Sequence, residues 1–555
     1  MERISVGIKS NRFFLMASVI YAAAVLLVFP YLRYYVDNPD TISYITIAQK
    51  YYRHDYSSAV NGYWSPLISW MLALLLNIPR DEIYIFKLLQ LLIGLFALFN
   101  FIKLVYLVIH SRSIRIVLTI TGIPLILSYA LLNLTPDLLF LGVILFYIRI
   151  VTEKEFYNHR HFGLIAGVLG ILLYFSKSFG FCFFLAHFTV LTFKTFFQTK
   201  EYAFKKHILR NYAQAIICFV AVSSIWIYLI SHKYGHLTIS ENAAFNLSRE
   251  VAAGPEEENK LPILSGGITG LVNPTAVNAW EDPGLATKVV PLHPFSVVGD
   301  FEIYTGVLKR NLLTVYYFDF KRQAGLVFIV LLFVFLFNSK RKKILTDDFF
   351  FSLLCALVFI YGGYSLILVH TRYIWVCTMI MLLLSAWILE EFHFKSKAQQ
   401  AIVRILVVFV LAGLTLKRPI KEILFSADND TSPTALISSM LKPQETMHAT
   451  YSRDKNFFET RNELKSIIRP GSNIVSIKNE ESERDAYTQA SLLALASNAK
   501  YLGQVNSERE LLPGTQGAEK VDYLIVFSEK DPADSTHWQI EYSNEKLPLN
   551  IYRRR

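Results

Sequence analysis

Charged side chains are scarce in this sequence. They make up 18% of its 555 residues, against 53% hydrophobic residues, whereas a soluble globular protein carries roughly a quarter charged residues. Cysteine is scarcer still. Cys182, Cys218, Cys355 and Cys377 all lie in apolar segments, which gives neither a disulfide framework nor zinc-ligand spacing. They read as small core residues. No internal repeat and no low-complexity tract occurs, which removes support for a transporter built from repeated halves with paired discontinuous helices. A signal-peptide cleavage site is also missing: the first apolar run, from Phe13 to about Tyr31, is too long for a signal core and reads as a retained span.

What the chain does have is length in its apolar runs. Stretches of about 15–25 residues recur from Phe13 to about Leu416, long enough to cross roughly 30 Å of hydrocarbon. Eleven spans are expected, near 13–35, 84–107, 115–133, 137–151, 162–176, 178–195, 212–231, 324–338, 349–370, 373–390 and 400–416. The net charge of +11 does not point to nucleic acid, because the basic residues sit in short loops between spans. Arg3, Lys9 and Arg12, then Lys103, Arg112 and Arg115, then Lys194 to Arg210, then Lys340 to Lys343, then Lys395, Lys397 and Arg404 all fall on one side. That side is cytoplasmic by the positive-inside rule. The segment 66–78 is too short to span at about 1.5 Å per residue and is placed as an interfacial or re-entrant helix on the outer face.

Two regions follow: a transmembrane domain over 1–419, with long outer loops 36–83 and 232–323, and an extracytoplasmic domain over 420–555. In the latter, strands at Asn473–Ile477 and Val521–Phe527 flank a helix at Asp485–Asn498, the order of a small α/β unit. It carries no Gly-rich phosphate loop and no clustered nucleophile, so recognition or support is its expected role. The fold class is a polytopic α-helical membrane protein with a small C-terminal α/β domain, multi-pass in the cell (inner) membrane, N-terminus cytoplasmic and tail outside.

The polar residues that are hardest to explain all fall on the outer side. Asp37-Asn-Pro-Asp40 follows the first span, and Tyr63-Trp64-Ser65-Pro66-Leu67 closes the same loop. Asp40 suits the N-cap of a helix at about 41–53, whose Ile42, Ile45 and Tyr52 would face the membrane. Capping accounts for one carboxylate and not for two around a proline. As a pair, one could take a proton from an acceptor hydroxyl and the other orient it or hold a divalent cation, the one candidate cofactor. Tyr63 and Trp64 are candidate substrate contacts. Arg372, after His370 at a span boundary, is either a snorkelling side chain or a clamp on phosphate, and Lys177 could add a second positive charge. Asp137, in Thr135-Pro136-Asp137, is either a cap or a site carboxylate. In the second outer loop Trp280, Glu281 and Asp282 form an acidic–aromatic patch that could hold a sugar, with His293 beyond it; an ordinary structured loop is the equal alternative. Asn246-Leu-Ser248 fits a glycosylation sequon.

This order of features resembles the GT-C class of integral membrane glycosyltransferases, in particular the bacterial protein O-mannosyltransferase and lipid A aminoarabinose-transferase type. The resemblance covers about 1–416. It rests on the loop aspartates after span one, the interfacial helix near Trp64-Ser65-Pro66-Leu67, the Pro136-Asp137 turn, the Lys177 turn and Arg372-Tyr373. It implies a polyprenyl-phosphate-linked sugar as donor and an outer-face hydroxyl of a lipid, glycan or protein as acceptor. Asp40 matches the family's key acidic residue, Asp37 is second, and Arg372 and Lys177 would stabilise the departing phosphate. Thr41 and Ser65 depart from many relatives. The expected activity is a hexosyl or pentosyl transfer with inversion. A ligase of lipid-linked oligosaccharide, a lipid flippase and a non-catalytic assembly protein are the rivals.

Overall fold

A computed structural model describes residues 2–36, 38–153, 159, 161–253, 267–287, 297–321, 325–337, 346–392, 396–425, 438–477, 483–512, 517–527, 537–544 and 547–555. Asp37 and His293 lie outside these residues.

Helices occupy all eleven predicted spans. They are α1 (Glu2–Leu32), α5 (Glu82–Val108), α6 (Arg112–Leu132), α7 (Asp137–Val151), α8 (Phe162–Ser176), α9 (Phe179–Gln198), α10 (Tyr202–Tyr234), and then Gly325–Phe335, Asp348–Ser365, Trp375–Glu391 and Lys397–Phe425. Among the described residues, eight candidate spans are long and apolar enough to cross a membrane, while Phe162–Ser176 and Gly325–Phe335 are shorter apolar helices. The helix Trp375–Glu391 is buried along most of its length and runs through the centre of the bundle, whereas α1 and Lys397–Phe425 expose most of their apolar residues. Those are the faces expected to meet lipid tails.

Small residues set the closest helix approach. Gly163 and Gly167, four apart on α8, leave room for the α10 backbone. A Cβ at Gly163 would collide with the Asn211 carbonyl, and one at Gly167 would stand 2.7 Å from the Ala215 carbonyl. Such small-residue contacts are a common packing device where lipid supplies no hydrophobic drive. Buried Lys87 on α5 donates to the carbonyls of Leu32 and Leu131. It thereby satisfies free carbonyls at the C-terminal ends of α1 and α6.

The first loop folds as α2 (Asp40–Tyr52), α3 (Tyr56–Ala59) and α4 (Leu67–Leu75). At nine residues, α4 rises only about 14 Å and cannot cross. Ile42 and Ile45 do not face lipid as expected. They are fully buried, and only Tyr52 is exposed, because α2 is covered by α4, by the turn Ala279–Glu281 and by the helix Glu483–Ala496.

The tail builds a sheet of six strands in the order β1-β3-β2-β4-β6-β5, from β1 (Gly267–Ile268), β2 (Asn473–Ile477), β3 (Lys500–Val505), β4 (Tyr523–Val526), β5 (Trp538–Asn544) and β6 (Leu549–Arg554). The central pairs β3–β2 and β2–β4 are parallel, and the others are antiparallel. One strand does not come from the tail. β1 belongs to the second long loop and pairs with β3 at Gly267–Gln504 and Ile268–Gly503. Arg461, on the helix Pro443–Leu464, is buried in an ion pair with Asp81 at the start of α5.

Candidate active site

Asn38 shapes the entry to α2 by accepting the Asp40 backbone N–H at 2.9 Å, and Pro39 sits at φ −62° before the first helical residue. Asp40 is therefore not the N-cap. Its carboxylate is free of capping and points to other partners. One oxygen pairs with the Arg372 guanidinium, and the other accepts the Trp280 indole N–H at 2.8 Å. Asp40 is 4% exposed.

Asp137 opens α7 beside it. Its Oδ1 pairs with Lys177, its Oδ2 accepts the Thr135 hydroxyl at 2.8 Å, and Arg372 Nε lies 3.5 Å from the same Oδ2. Arg372 thus bridges two carboxylates that are far apart in sequence. Buried Gln90 on α5 holds the turn by donating to the Thr135 carbonyl at 2.6 Å. Lys177 sits in the two-residue turn between α8 and α9, its ammonium 3.3 Å above the Tyr373 ring and 5.1 Å from that of Tyr364. Burial pulls its pKa down to about 8, against the opposing pull of Asp137.

These four charges line one cleft. Tyr44, Tyr63, Trp64, Ser65, Tyr364 and Tyr373 share its wall, together with apolar side chains such as Phe179, Ile239 and Leu368. A largely apolar cleft with a few convergent polar groups suits a ligand with a charged head and a greasy body. Sequence reasoning named Asp40, Asp137, Lys177, Arg372, Tyr63 and Trp64, and the fold brings all six to this cleft. It did not name Tyr44 or Tyr364. Tyr44 lies one helical turn beyond Asp40, a spacing that was available as a signal; Tyr364 carried none, since it comes from the end of a span.

The second-loop patch does not line the cleft and touches it only through the Trp280 bond to Asp40. Trp280, Glu281 and Asp282 are all buried, and none lines it. Glu281 pairs with Lys50 of α2, while Asp282 pairs with Lys233 at 2.9 Å and accepts the Tyr234 hydroxyl at 2.7 Å. The structured-loop alternative describes them: an exposed sugar platform is replaced by a latch between the loop, α2 and the end of α10. No group of three or more His, Cys, Asp or Glu side chains able to hold a metal occurs among the described residues. Both Asp40 oxygens are engaged here, one by Arg372 and one by Trp280. Asp37, the other expected ligand, lies outside the described residues.

No family model matches the sequence, and no curated protein matches it. Solved structures do. ArnT from Cupriavidus metallidurans in the apo state is 12% identical, with a TM-score of 0.52 over 96% of this chain and 97% of that one. The same protein bound to undecaprenyl phosphate has a TM-score of 0.50 over the same shares, also at 12% identity. The archaeal oligosaccharyltransferase AglB from Archaeoglobus fulgidus is 11% identical, with a TM-score of 0.43 over 93% of this chain and 69% of that one. The near-complete mutual coverage with ArnT extends the likeness through the tail, beyond the 1–416 region on which the resemblance rested. The chain is a polytopic membrane protein with the fold of the GT-C glycosyltransferases.

Proposed function

We propose that the protein transfers a sugar from a polyprenyl-phosphate donor to a hydroxyl of a lipid, glycan or protein acceptor on the outer face of the cell (inner) membrane. The observation that carries this reading is the Asp40–Arg372–Asp137–Lys177 cluster on the wall of an apolar cleft. The undecaprenyl phosphate bound to ArnT is the kind of ligand that such a cleft would take.

The donor's phosphate docks on Arg372 and Lys177, and the polyprenyl chain lies along the apolar wall. Arg372 is suited to this because its planar fork can serve two anions at once. As the phosphate takes up part of that positive charge, the Asp40 carboxylate is released from its ion pair and accepts the acceptor's hydroxyl proton. The acceptor oxygen forms its bond to the anomeric carbon as the bond to the phosphate oxygen breaks. The polyprenyl phosphate leaves as an anion held by the two cations, and configuration inverts. No metal enters this scheme.

The test uses purified protein and a panel of undecaprenyl-phosphate-linked sugars with envelope extracts as acceptor. Sugar transfer by the wild type and none by Asp40→Asn supports the reading. Movement of labelled lipid across proteoliposomes without bond cleavage overturns it in favour of a flippase.

A further inference from the structure

The hydrogen bond from Trp280 to Asp40 is unusual in what stands behind it. Trp280 is 5% exposed and packs edge-on against Tyr63, Trp64 and Phe245, with ring centroids 6.0, 6.1 and 5.9 Å away. Its own carbonyl is fastened to α2 and the first loop by the Ser43 hydroxyl at 3.1 Å and the Trp64 indole at 3.2 Å. Ser43 is three residues after Asp40, on the same face of the helix. Backbone and indole of one residue therefore grip α2 at two points of a single turn.

The other side of this grip is the tail. The segment before Trp280 is stitched to the C-terminal domain by β1 and by three hydrogen bonds, two to β3 and one to the helix Glu483–Ala496. Thr269 N–H donates to the Leu502 carbonyl at 2.7 Å, Tyr501 N–H donates to the Val277 carbonyl at 2.7 Å, and the Asn278 amide donates to Ser491 Oγ at 3.1 Å. Only Ala279 separates Asn278 from Trp280. On the far side, the Lys50–Glu281 and Lys233–Asp282 pairs and the Asn61 amide on the Glu281 carbonyl, at 2.7 Å, lock the chain as it leaves.

We propose that Trp280 is a positioning residue for Asp40, and that the C-terminal domain holds it there through the strap from β1 to Asn278. A carboxylate with one oxygen on Arg372 must keep its orientation when that cation turns to the donor phosphate. The indole N–H is the partner that does not change hands. The inference rests on Asp40 acting as the base.

Trp280→Phe keeps an aromatic body and removes the donor. Ser491→Ala removes the strap's bond nearest Trp280, at Asn278, from a residue that does not line the cleft. Asp40 titration is read by infrared difference spectroscopy of the carboxyl C=O stretch, with Asp40→Asn as the subtraction reference. Arg372, Lys177, Asp137, Tyr44, Tyr63 and Tyr373 surround Asp40 electrostatically, and none is altered. Losing a donor to the charged form raises a carboxyl pKa, so Asp40 should ionise at higher pH in Trp280→Phe, and in the same direction by less in Ser491→Ala. With a donor that turns over, kcat should fall roughly tenfold to a hundredfold at unchanged donor KM. An Asp40 titration identical to wild type in Trp280→Phe overturns the inference and leaves the base assignment standing. Should Trp280→Phe fail to give monodisperse protein, an unshifted titration in Ser491→Ala overturns it alone. Wild-type transfer by Asp40→Asn, in contrast, overturns the base assignment itself.

Discussion

Two sets of buried charges in this protein differ in what surrounds them. In the cleft, Arg372 is shared between Asp40 and Asp137, and Lys177 adds a second cation, beside open volume. In the latch and at the domain junction, each pair is closed on itself. Lys50 and Glu281 are 4% and 2% exposed at the side chain, and Arg461 is buried against Asp81. Desolvation costs are large in both places, so burial of a pair says little about net stability. What separates the sets is the empty space beside them. A cation with a cavity in front of it can exchange one anion for another, and a cation enclosed by protein cannot.

That contrast can be broken at several points. The largest expected effect is on Asp40→Asn, with transfer reduced by about 10²–10⁴-fold, the usual contribution of general acid–base catalysis. Monodispersity on gel filtration should match wild type; a normal rate would remove the distinction between the two sets. Next is Arg461→Met, which leaves Asp81 without its partner. Breaking a buried pair this way costs about 3–5 kcal/mol, seen as a lower thermal midpoint at unchanged turnover per folded molecule. Arg372→Met takes a cation from two buried carboxylates, so it should lose stability as well, but it alone should raise KM for the polyprenyl-phosphate donor, by at least tenfold. An unchanged donor KM in Arg372→Met would argue that the cleft cluster is structural.

The smallest effect concerns pH. Lys177 is the protonated, charged form below about 8 and the neutral form above it. If it holds phosphate, kcat/KM falls as pH rises through that value. Lys177→Arg keeps its charge, so its alkaline limb should move to higher pH in a donor-saturation profile. Superimposable profiles would assign Lys177 to the wall of the cleft and nothing more.

Much of the site was readable because charge is so rare in the apolar runs. Asp137, Lys177 and Arg372 each interrupt hydrophobic sequence at a span boundary, where an ionisable group is costly, and three turns of this kind on one side imply a meeting place. The helices were readable for the same reason, from the length of the runs. Trp280 shows the limit. Beside Glu281 and Asp282 it read equally as a patch that could hold a sugar and as an ordinary structured loop, since an aromatic beside two carboxylates in a long loop suits both. Lys50 and Lys233, the cations that absorb those carboxylates, lie on α2 and α10, and nothing in local sequence pairs them. Likewise Ile42 and Ile45 read as membrane-facing because the cover above α2 comes from distant parts of the chain. β1, two residues long, had no periodicity from which a strand could be inferred.

The sequence alone determined what depends on local composition: which segments are apolar enough to cross a membrane, which loops carry the basic residues, and which few charges stand where charge is expensive. Tertiary structure alone decided which of those charges face a cleft and which are locked away. Those pairings join residues 40 with 372, 137 with 177, and 50 with 281. They exist only once helices far apart in the chain have packed, because no periodic pattern records the direction in which a side chain at a helix end will point.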